Sequence, residues 1–367
     1  MLVGIPREVK NRESRVALTP DGAAALAEGG HEVVVESAAG IGAGFADDDY
    51  AGAGARVGST DDAWGAELVL KVKEPVPDEY PRLRDDLTLF TFLHLAANEP
   101  LAAALVESGC AAISYDTVRA ADGSLPILRP MSEVAGRLAV VAGAYHLLGP
   151  QGGRGLLLSG LRGVDGVRVA VIGAGVAGSN AALQAAAMGA DVTALDLDEA
   201  RLDALHAAAP ARIRTAVSSP DAIARATASA DLVIGAVLVP GRPAPKVVTH
   251  AMVEAAQQGS VFVDIAIDQG GCFEDSHPTT HDDPTFRVAR SVFYCVANMP
   301  GAAERSSTQA LASVTLPYAL ELADLGWERA CDADPALAAG LSVAHGELRH
   351  PAAIEAFPGL PSGGGAT

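Results

Sequence analysis

Lysine is scarce in this sequence, and two of the chain's lysines lie in one short apolar stretch. Of the 26 residues that are Lys or Arg, only those at positions 10, 71, 73 and 246 are Lys. A lysine offers a compact ammonium where an arginine offers a planar fork. In "ELVLKVKEPV", a strand over residues 67–73 places Lys71 and Lys73 on one face. Pro75 stops that strand, so we expect both ammonium groups at the carboxyl edge of a sheet, facing a cleft.

The next apolar run, "TLFTFLHLAA", brings His94 to the same predicted edge. An imidazole suits reversible proton transfer near neutral pH. A single histidine after a strand is more often structural, but the neighbouring Lys73 favours a catalytic role. Arg15 follows the charged loop "GIPREVKNRES" and precedes the first helix, so it is predicted at the rim of the cleft. Its fork suits a substrate carboxylate, although such a charged run is also typical of a solvated loop.

A glycine-rich turn, "AVIGAGVAGSNAA", follows a predicted strand and opens a helix. Gly173, Gly175 and Gly178 have the G-x-G-x-x-G spacing in which the glycines serve a tight turn, the approach of a pyrophosphate and strand-helix packing. Alone, the motif is as consistent with an ordinary βα turn. Asp196 ends the next strand, where a carboxylate accepts from an adenosine ribose and repels a 2′-phosphate. Together these features predict a dinucleotide site that favours NAD over NADP.

Further nucleotide contacts are expected at the carboxyl ends of the later strands, because ligands of open α/β sheets bind there. This rule selects Val237, Leu238, Ile265, Ala266, Ile267, Asp268, Val296, Ala297, Asn298 and Met299. Asp268 is predicted in a partly dry cleft near the nicotinamide, with a turn cap as its alternative role. Arg201 either contacts the adenosine side or is a solvated helix charge.

Short apolar runs alternate with alanine-rich helical patterns along the chain, which is typical of α/β architecture with parallel strands. Early strands are predicted at residues 2–5, at "HEVVVES", and at 67–73, 87–93 and 110–115. One helix is predicted to begin behind a Thr19 cap and to end at Gly29-Gly30, and another takes its cap from Asn98. These elements form a first α/β domain.

The pattern restarts after a helix predicted to begin at Ser132, whose hydroxyl is placed to cap it. Near-continuous apolar strands follow at 167–173, 191–198, 231–238 and 260–267, as in a buried parallel sheet. A last strand, "VFYCVANM", precedes a helix from about residue 306 to 323 that returns to the first domain. The tail "GLPSGGGAT" is predicted to be disordered.

Composition narrows the class of protein. A chain of 367 residues with 49% hydrophobic and 19% charged residues predicts two globular domains. A net charge of −19 argues against nucleic acid and anionic membranes as partners. Neither a signal sequence nor a membrane-spanning segment is indicated, so a cytoplasmic protein is expected. The four cysteines show no metal or disulfide spacing, and prolines in "HPTTHDDP" disfavour a metal site at its histidines.

The sequence resembles the alanine dehydrogenase/pyridine nucleotide transhydrogenase family. The likeness lies in "GIPREVKNRESRVALTP", "LVLKVKEP", "LFTFLHLAA", "RPMSEVAGRLA", "QGGRG", "IGAGVAG", "ADLVIGAVLVPG", "VDIAIDQGG" and "YCVANMPG", which span about the first 300 positions in order. It implies a Rossmann-type NAD-binding domain (131–304) inserted into a second, Rossmann-like α/β substrate domain (1–130 with 305–360), before a disordered tail (361–367). It also implies homohexamers.

The resemblance further implies reversible, NAD-dependent oxidative deamination of L-alanine to pyruvate and ammonia. Arg15 and Lys73 would hold the substrate, and His94 and Asp268 would be the acid/base pair. Besides the glycine turn and the strand ends above, the implied NAD contacts are Ser132, Val176, Ala177, Asp196, Arg201 and Ser218. Lys71 has no implied chemistry, and its role would be structural.

Two features leave alternatives open. After "VANMPGA" the family usually continues with Val-Pro-Arg or similar, whereas here Ala303-Glu304-Arg305 follows, which puts the local helix start in question. The fold would also suit the NAD-binding subunit of a transhydrogenase, a saccharopine-type or opine dehydrogenase, or a nucleotide sensor that has lost turnover. A transhydrogenase subunit would have no use for the group of Lys73, His94 and Arg15.

Overall fold

The computed structural model describes residues 1–237 and 244–363, which divide into two compact units. Unit 1 comprises Met1–Met131 and the chain from Ala303 onward, and unit 2 comprises Ser132–Ala302. The predicted domain boundaries, at 130/131 and 304/305, lie close to these divisions. That each unit is a separate functional domain stays a prediction.

The first part of unit 1 alternates short strands with helices. The strands are β1 (Leu2–Ile5), β2 (Glu32–Glu36), β3 (Arg56–Gly58), β4 (Leu68–Leu70), β5 (Thr88–Thr91) and β6 (Ala111–Ser114), and the helices are α1 (Pro20–Glu28), α2 (Asp47–Gly52), α3 (Thr60–Trp64) and α4 (Glu99–Ser108). Two predicted caps are confirmed, because the Thr19 hydroxyl accepts from the amide of Gly22 at 3.3 Å and the Asn98 side chain accepts from that of Leu101 at 3.2 Å.

Helix α5 (Leu128–His146) begins in the last residues of unit 1 and continues into unit 2. The predicted start at Ser132 is wrong, because the helix already begins at Leu128 and Ser132 lies inside it. Pro130 falls in the first turn, where the amide that a proline lacks has no intrahelical partner.

The remaining elements of unit 2 are β7 (Arg168–Ile172), α6 (Val176–Ala187), β8 (Asp191–Asp196), α7 (Glu199–Ala208), β9 (Ile213–Val217), α8 (Pro220–Ser229), β10 (Leu232–Gly235), α9 (His250–Glu254), β11 (Val261–Asp264), β12 (Thr285–Val288) and β13 (Ser291–Tyr294).

Unit 1 is completed by the C-terminal part of the chain. Its elements are α10 (Glu304–Leu325), α11 (Trp327–Ala333), α12 (Pro335–Gly340), β14 (Leu341–Ala344), β15 (Glu347–Leu348) and α13 (Pro351–Ala356). Of the predicted disordered tail, residues 361–363 are held to β15, since Leu348 donates to the carbonyl of Pro361 and accepts from the amide of Gly363. Residues 364–367 lie outside the described part of the chain.

Each unit is built on one mainly parallel sheet. Among the described residues, the sheet of unit 1 has the order β15-β14-β6-β5-β4-β1-β2-β3, with β14 antiparallel to both of its neighbours. The sheet of unit 2 has the order β12-β13-β11-β10-β7-β8-β9, and within residues 132–237 and 244–302 only the pair β12–β13 is antiparallel. The predicted α/β fold with parallel strands is confirmed in both units.

Side chains of unit 2 alternate between two apolar layers, one on each face of its sheet. Val169 and Val171 of β7 belong to one buried cluster, and Ala170 and Ile172 belong to the other. This is the environment of a parallel sheet covered on both faces. Because β8 and β10 flank β7 and the chain leaves β7 toward β8, the carboxyl ends of β7 and β10 form the switch point of the sheet. Within residues 1–237 and 244–363, no helix is long and apolar enough to cross a membrane.

Candidate active site

The glycine-rich turn of unit 2 joins β7 to α6, where the sequence predicted it. Gly173 has a φ of 99°, and a Cβ there would lie 2.6 Å from the carbonyl oxygen of Ala236. A Cβ on Gly178 would lie 1.8 Å from the carbonyl oxygen of Gly173, a distance that no side chain tolerates. A Cβ on Gly175 would meet nothing within 4 Å. The outer two glycines therefore serve the turn and its packing, while Gly175 borders open space that a ligand can approach.

The start of α6 provides backbone amides for an anion. Gly175 is its N-cap and supplies no side-chain acceptor, and Val176 and Ala177 open the helix. Amides at a helix N-terminus attract negative charge, as a pyrophosphate carries. The turn is supported from α5, where a Cβ on Gly136 would lie 2.1 Å from the carbonyl oxygen of Ala177. Ser132 is half-buried on α5.

Asp196, at the end of β8, fastens the glycine turn. Its Oδ2 accepts from the amide of Ala174 at 2.5 Å, and its Oδ1 accepts from that of Asp198 at 2.9 Å. Since each carboxylate oxygen has two lone pairs, capacity remains for a ribose hydroxyl. Arg201 lies in α7 and is exposed, with its Nε 3.2 Å from the Asp198 carboxylate. Ser218 follows β9 and donates its amide to the carbonyl of Asp196 at 2.8 Å.

The chain after β11 turns at once instead of extending to Ile267 as predicted. The buried Asp264 carboxylate causes this, because it accepts from the amides of Ala266, Cys272 and Phe273 at 3.0, 2.8 and 3.1 Å. Ile265–Gln269 consequently form a 3-10 turn. Asp268 lies on that turn and is exposed, rather than in the partly dry surroundings predicted for it.

Lys246 holds the same segment from the other side. Its ammonium donates to the carbonyls of Gly270, Gly271 and Phe273 at 2.6, 2.9 and 3.0 Å. An ammonium has three protons, and all three are used here. The turn that carries Asp268 is therefore fixed through its amides by Asp264 and through its carbonyls by Lys246.

The remaining predicted nucleotide contacts follow β10 and β13. Val237 is half-buried, and Leu238 lies outside the described residues. The predicted strand "VFYCVANM" is shorter than expected, since β13 ends at Tyr294. Val296, Ala297 and Asn298 thus lie on the following loop, and Met299 begins a 3-10 helix that ends at Ala303. Asn298 adopts a left-handed φ of 64°, and its carbonyl lies 3.1 Å from Nε2 of His281.

In unit 1, Lys71 and Lys73 do not share one exposed face, so that prediction was wrong. Strand β4 ends at Leu70, and Lys71 is fully buried. Its ammonium lies 3.3 Å from the Glu8 carboxylate and 2.9 Å from that of Glu79. Burial lowers the pKa of Lys71, but the two carboxylates outweigh burial and raise it above the ordinary value. Lys71 is the centre of a buried ionic triad, which agrees with the structural role expected for it.

Glu8 links this triad to the loop that carries Lys73. Its Oε1 accepts from the amides of Val72 at 2.6 Å and Lys73 at 3.3 Å. Burial raises the pKa of Glu8 above its ordinary value, against the opposing effect of the Lys71 ammonium. The Lys73 side chain itself is half-buried. A buried carboxylate therefore fixes the backbone from which Lys73 projects.

Arg15 is buried, with 2% of its surface exposed, and does not project from a rim as predicted. Its Nε and Nη2 donate to the two oxygens of Glu13 at 2.7 and 2.5 Å, a bidentate pair. Its Nη1 lies 3.2 Å from the sulfur of Met131. The Glu13 carboxylate thus occupies one edge of the guanidinium fork and fixes its plane.

His94 follows β5 with a left-handed backbone, at φ 47° and ψ 39°. Such a conformation costs about 1 to 3 kcal/mol and persists only where the surroundings enforce it. Asp116 enforces it here, because its Oδ1 accepts from the amides of Leu93 at 3.1 Å and His94 at 3.4 Å. The imidazole stacks on Phe92, with ring centroids 5.8 Å apart and planes 18° apart.

Charged groups surround the imidazole of His94. A third of the His94 side chain is exposed. Its Nδ1 lies 3.9 Å from Oε2 of Glu74. Burial lowers the pKa of His94, but Glu74 and Asp116 outweigh burial and the Lys73 ammonium, so the pKa lies above its ordinary value. Burial raises the pKa of Glu74, but His94, Lys73 and Lys10 outweigh it and lower the pKa to about 2. The site therefore holds an ionised carboxylate beside an imidazole that favours its charged form.

Comparison with known proteins identifies the family. The N-terminal domain described as alanine dehydrogenase/PNT matches residues 4–135, and the corresponding C-terminal domain matches residues 139–351. The chain belongs to the alanine dehydrogenase/PNT family. An alanine dehydrogenase from Mycolicibacterium smegmatis is 56% identical over 95% of this chain and 94% of its own length, and one from Bacillus subtilis is 50% identical over 96% and 93%.

Two solved structures are similar to this chain over nearly its whole length. A structure named L-alanine dehydrogenase has a TM-score of 0.94 and 49% identity, covering 98% of this chain and 99% of that one. A transhydrogenase from Sinorhizobium meliloti has a TM-score of 0.82 and 27% identity, covering 96% and 100%. The family resemblance and the fold predicted from the sequence are confirmed.

The departure from the usual family sequence after Ala302 occurs where α10 begins. The helix starts at Glu304, and Ala303 gives it no side-chain cap. Arg305 anchors this end, since its Nη1 donates to the carbonyl of Gly44 at 3.0 Å and its guanidinium lies 5.0 Å from the Phe45 ring centroid.

In "HPTTHDDP", His277 packs on Phe286 with ring centroids 3.6 Å apart.

Several carboxylates that build these sites were missed by the sequence reasoning. They are Glu8, Glu13, Glu74, Asp116 and Asp264. The first three lie inside the two sequence segments that were singled out for their Lys and Arg residues. A Glu close to such a Lys or Arg was therefore the signal that could have identified them. Asp264 interrupts an apolar strand, and a carboxylate in that setting requires hydrogen-bond donors. No comparable signal marks Asp116.

Proposed function

We propose that this chain is an L-alanine dehydrogenase that catalyses the reversible, NAD-dependent oxidative deamination of L-alanine to pyruvate and ammonia. The observation that carries the proposal is His94, held in a left-handed conformation with two carboxylates and the Lys73 ammonium acting on it. A subunit that only carried NAD would not need this arrangement. The alanine dehydrogenases that cover nearly the whole chain at 50–56% identity support the same activity.

The residues of unit 2 fit a dinucleotide. The open space at Gly175 and the amides that open α6 suit the pyrophosphate. Asp196 suits the adenosine ribose and disfavours a 2′-phosphate, which supports NAD over NADP. We assign the further contacts to Ser132, Arg201, Ser218 and the segments at Val237-Leu238, 265–268 and 296–299.

The residues of unit 1 suit a small amino acid. We assign the binding of the substrate carboxylate to Arg15 and Lys73. Glu13 fixes the side chain of Arg15, and Glu8 fixes the backbone of Lys73. Holding the substrate in one orientation removes several kcal/mol from the barrier, because the entropy of alignment is lost on binding and not in the transition state. Asp268 is assigned as the second acid/base group.

NAD supplies, when bound, the acceptor for the Cα hydride of L-alanine. His94 then accepts a proton from the water that attacks the resulting iminium carbon. The imidazolium returns this proton to the nitrogen of the carbinolamine, and the carbon–nitrogen bond breaks as the imidazole takes the proton of the new hydroxyl group. Pyruvate, ammonia and a protonated His94 remain, and the imidazolium then releases its proton to solvent. In the reverse direction the imidazolium donates to the pyruvate carbonyl oxygen, for which the raised pKa of His94 prepares it.

Oxidation of NADH in the presence of pyruvate and ammonium tests this function. Activity that requires both compounds is the expected result. Hydride transfer to an NADP analogue without either would instead identify a transhydrogenase subunit, and dependence on lysine would identify a saccharopine-type or opine dehydrogenase. Binding of NADH without turnover under any of these conditions would contradict the proposal and indicate a sensor.

We further propose a cytoplasmic homohexamer. Val141 and Tyr145 are exposed apolar side chains four residues apart on α5, and a contact between copies of the chain at this helix would remove them from water. Light scattering coupled to size-exclusion chromatography measures the assembly directly, and a monomeric mass at micromolar concentration would refute it.

A further inference from the structure

The Glu74 carboxylate of unit 1 has one oxygen engaged and one oxygen without a hydrogen bond. The ammonium of Lys10 donates to Oε1. Oε2 is buried, and no donor among the described residues hydrogen-bonds it. A buried carboxylate oxygen without a donor costs at least about 1 to 3 kcal/mol. The group that faces Oε2 is Nδ1 of His94, at 3.9 Å.

The distance of 3.9 Å is one that catalytic hydrogen bonds often show before substrate binds, and they tighten afterwards. The other parts of His94 are already held, because Asp116 binds its amide and Phe92 supports one face of its ring. Closure onto Glu74 would place the proton of neutral imidazole on Nδ1. Nε2 would then be the lone-pair nitrogen available to the substrate.

We propose that Glu74, fastened by Lys10, is a positioning residue that orients the His94 imidazole through Nδ1 and stabilises its protonated form. This inference depends on the proposed dehydrogenase only for its kinetic consequences. Its geometric part stands whatever reaction the protein catalyses.

The charges that face the imidazole come from separate segments of unit 1. Glu74 and Lys73 project from the loop after β4, Asp116 from the segment after β6, and Lys10 from the loop after β1 and acts through Glu74. Glu74 and Asp116 favour the imidazolium, while Lys73 opposes it. Because Lys10 neutralises part of the Glu74 charge, the two residues influence His94 with opposite sign.

The opposite signs give a test that a purely structural role would not pass. In Glu74→Gln, we expect the midpoint of His94 titration to fall by about one pH unit, because a paired carboxylate is lost. In Lys10→Met, we expect the midpoint to rise by about half a pH unit, because the Glu74 charge is no longer shared. Asp78→Asn removes the same charge as Glu74→Gln from an exposed position on the same segment and is expected to leave the midpoint unchanged.

The titration is read from the rate at which diethyl pyrocarbonate modifies His94 as a function of pH, since the reagent attacks only the neutral imidazole. Peptide mass spectrometry of the full chain assigns the modified histidine. In parallel, the acidic limb of kcat/KM for alanine oxidation is expected to move in the same direction as each midpoint. That limb reports loss of the neutral base as pH falls.

A midpoint in Glu74→Gln equal to that of the unaltered protein overturns the proposal, as does a shift of the same sign in both variants. If Glu74→Gln does not fold, Lys10→Met decides alone: a rise supports the proposal and a fall or no change overturns it. Opposite shifts in a protein without alanine-dependent activity would support the positioning role and refute the proposed dehydrogenase, so the two failures are distinguishable.

Discussion

The two units present their candidate binding residues by different physical means. In unit 2 the glycine turn, the start of α6 and Asp196 follow one another within a single βαβ segment. Backbone groups form most of this candidate site. In unit 1, Arg15, Lys73 and His94 come from three segments, which are fixed by two buried carboxylates and one half-buried carboxylate. The contrast teaches that a backbone site depends on small residues, whereas a side-chain site depends on a balance of buried charges.

The largest effect is expected for His94→Ala, which removes the proposed acid/base group of unit 1. Turnover should fall by about 10² to 10⁴. The affinity for NADH should stay within about twofold, because the proposed contacts with the dinucleotide come from unit 2. Steady-state kinetics and fluorescence titration with NADH measure the two effects. His250→Ala, at an exposed histidine of unit 2, is the control, and near-normal turnover of His94→Ala would contradict the assignment.

Lys71→Met tests the balance of buried charges. Without the ammonium, Glu8 and Glu79 remain buried with no cation between them, which should lower the free energy of unfolding by about 3 to 5 kcal/mol. Denaturant titration measures the loss. The triple variant Glu8→Gln, Lys71→Met, Glu79→Gln removes the uncompensated charges and should recover most of it. If the single variant is as stable as the unaltered protein, unit 1 does not depend on this triad.

Gly178→Ala is the matching test of the backbone site. Its Cβ would collide with the carbonyl of Gly173, so the expected loss is about 3 kcal/mol or more of unfolding free energy. Gly175→Ala is the matched control, because its Cβ meets nothing within 4 Å and should leave stability nearly unchanged. The control should nevertheless weaken NADH binding if the dinucleotide approaches there. Equal melting temperatures for both variants would remove the proposed distinction between the glycines.

The smallest effect is a pH-dependent one at Glu74. The pKa of its carboxyl is lowered to about 2, so its contribution to stability is present above the ordinary value of 4.5 and is lost as pH falls toward 2. The pKa of His94 is raised, so its share is present below 6.5 and is lost as pH rises through the raised value.

The difference in unfolding free energy between the unaltered protein and Glu74→Gln should therefore be largest between pH 4.5 and 6.5, at about 1 to 2 kcal/mol. Denaturant titrations at pH 3, 5.5 and 8 sample both sides of this window. A difference that does not vary with pH would show that the pair is not ionic.

The same contrast explains what the sequence could predict. The βαβ segment of unit 2 was readable because its glycines, apolar strand and acid lie close together in the chain. The Thr19 and Asn98 caps were readable for the same reason. The Glu8–Lys71 pair and the hold of Asp116 on His94 were not, since they join residues far apart in the chain and depend on which strands become neighbours. Strand ends were predicted too late where a side chain such as Asp264 closes the turn early.

The sheet of unit 1 has a consequence for how the chain comes off the ribosome. Strands β14 and β15 occupy one edge of that sheet and are synthesised only after the whole of unit 2. Unit 2 is contiguous and can close while the rest of the chain is still being made, because domains fold as units during translation. Until the C-terminal strands emerge, β6 keeps an open edge, which is the kind of surface that recruits a strand from another nascent chain. The protection of this sheet edge therefore depends on strands that are synthesised after unit 2.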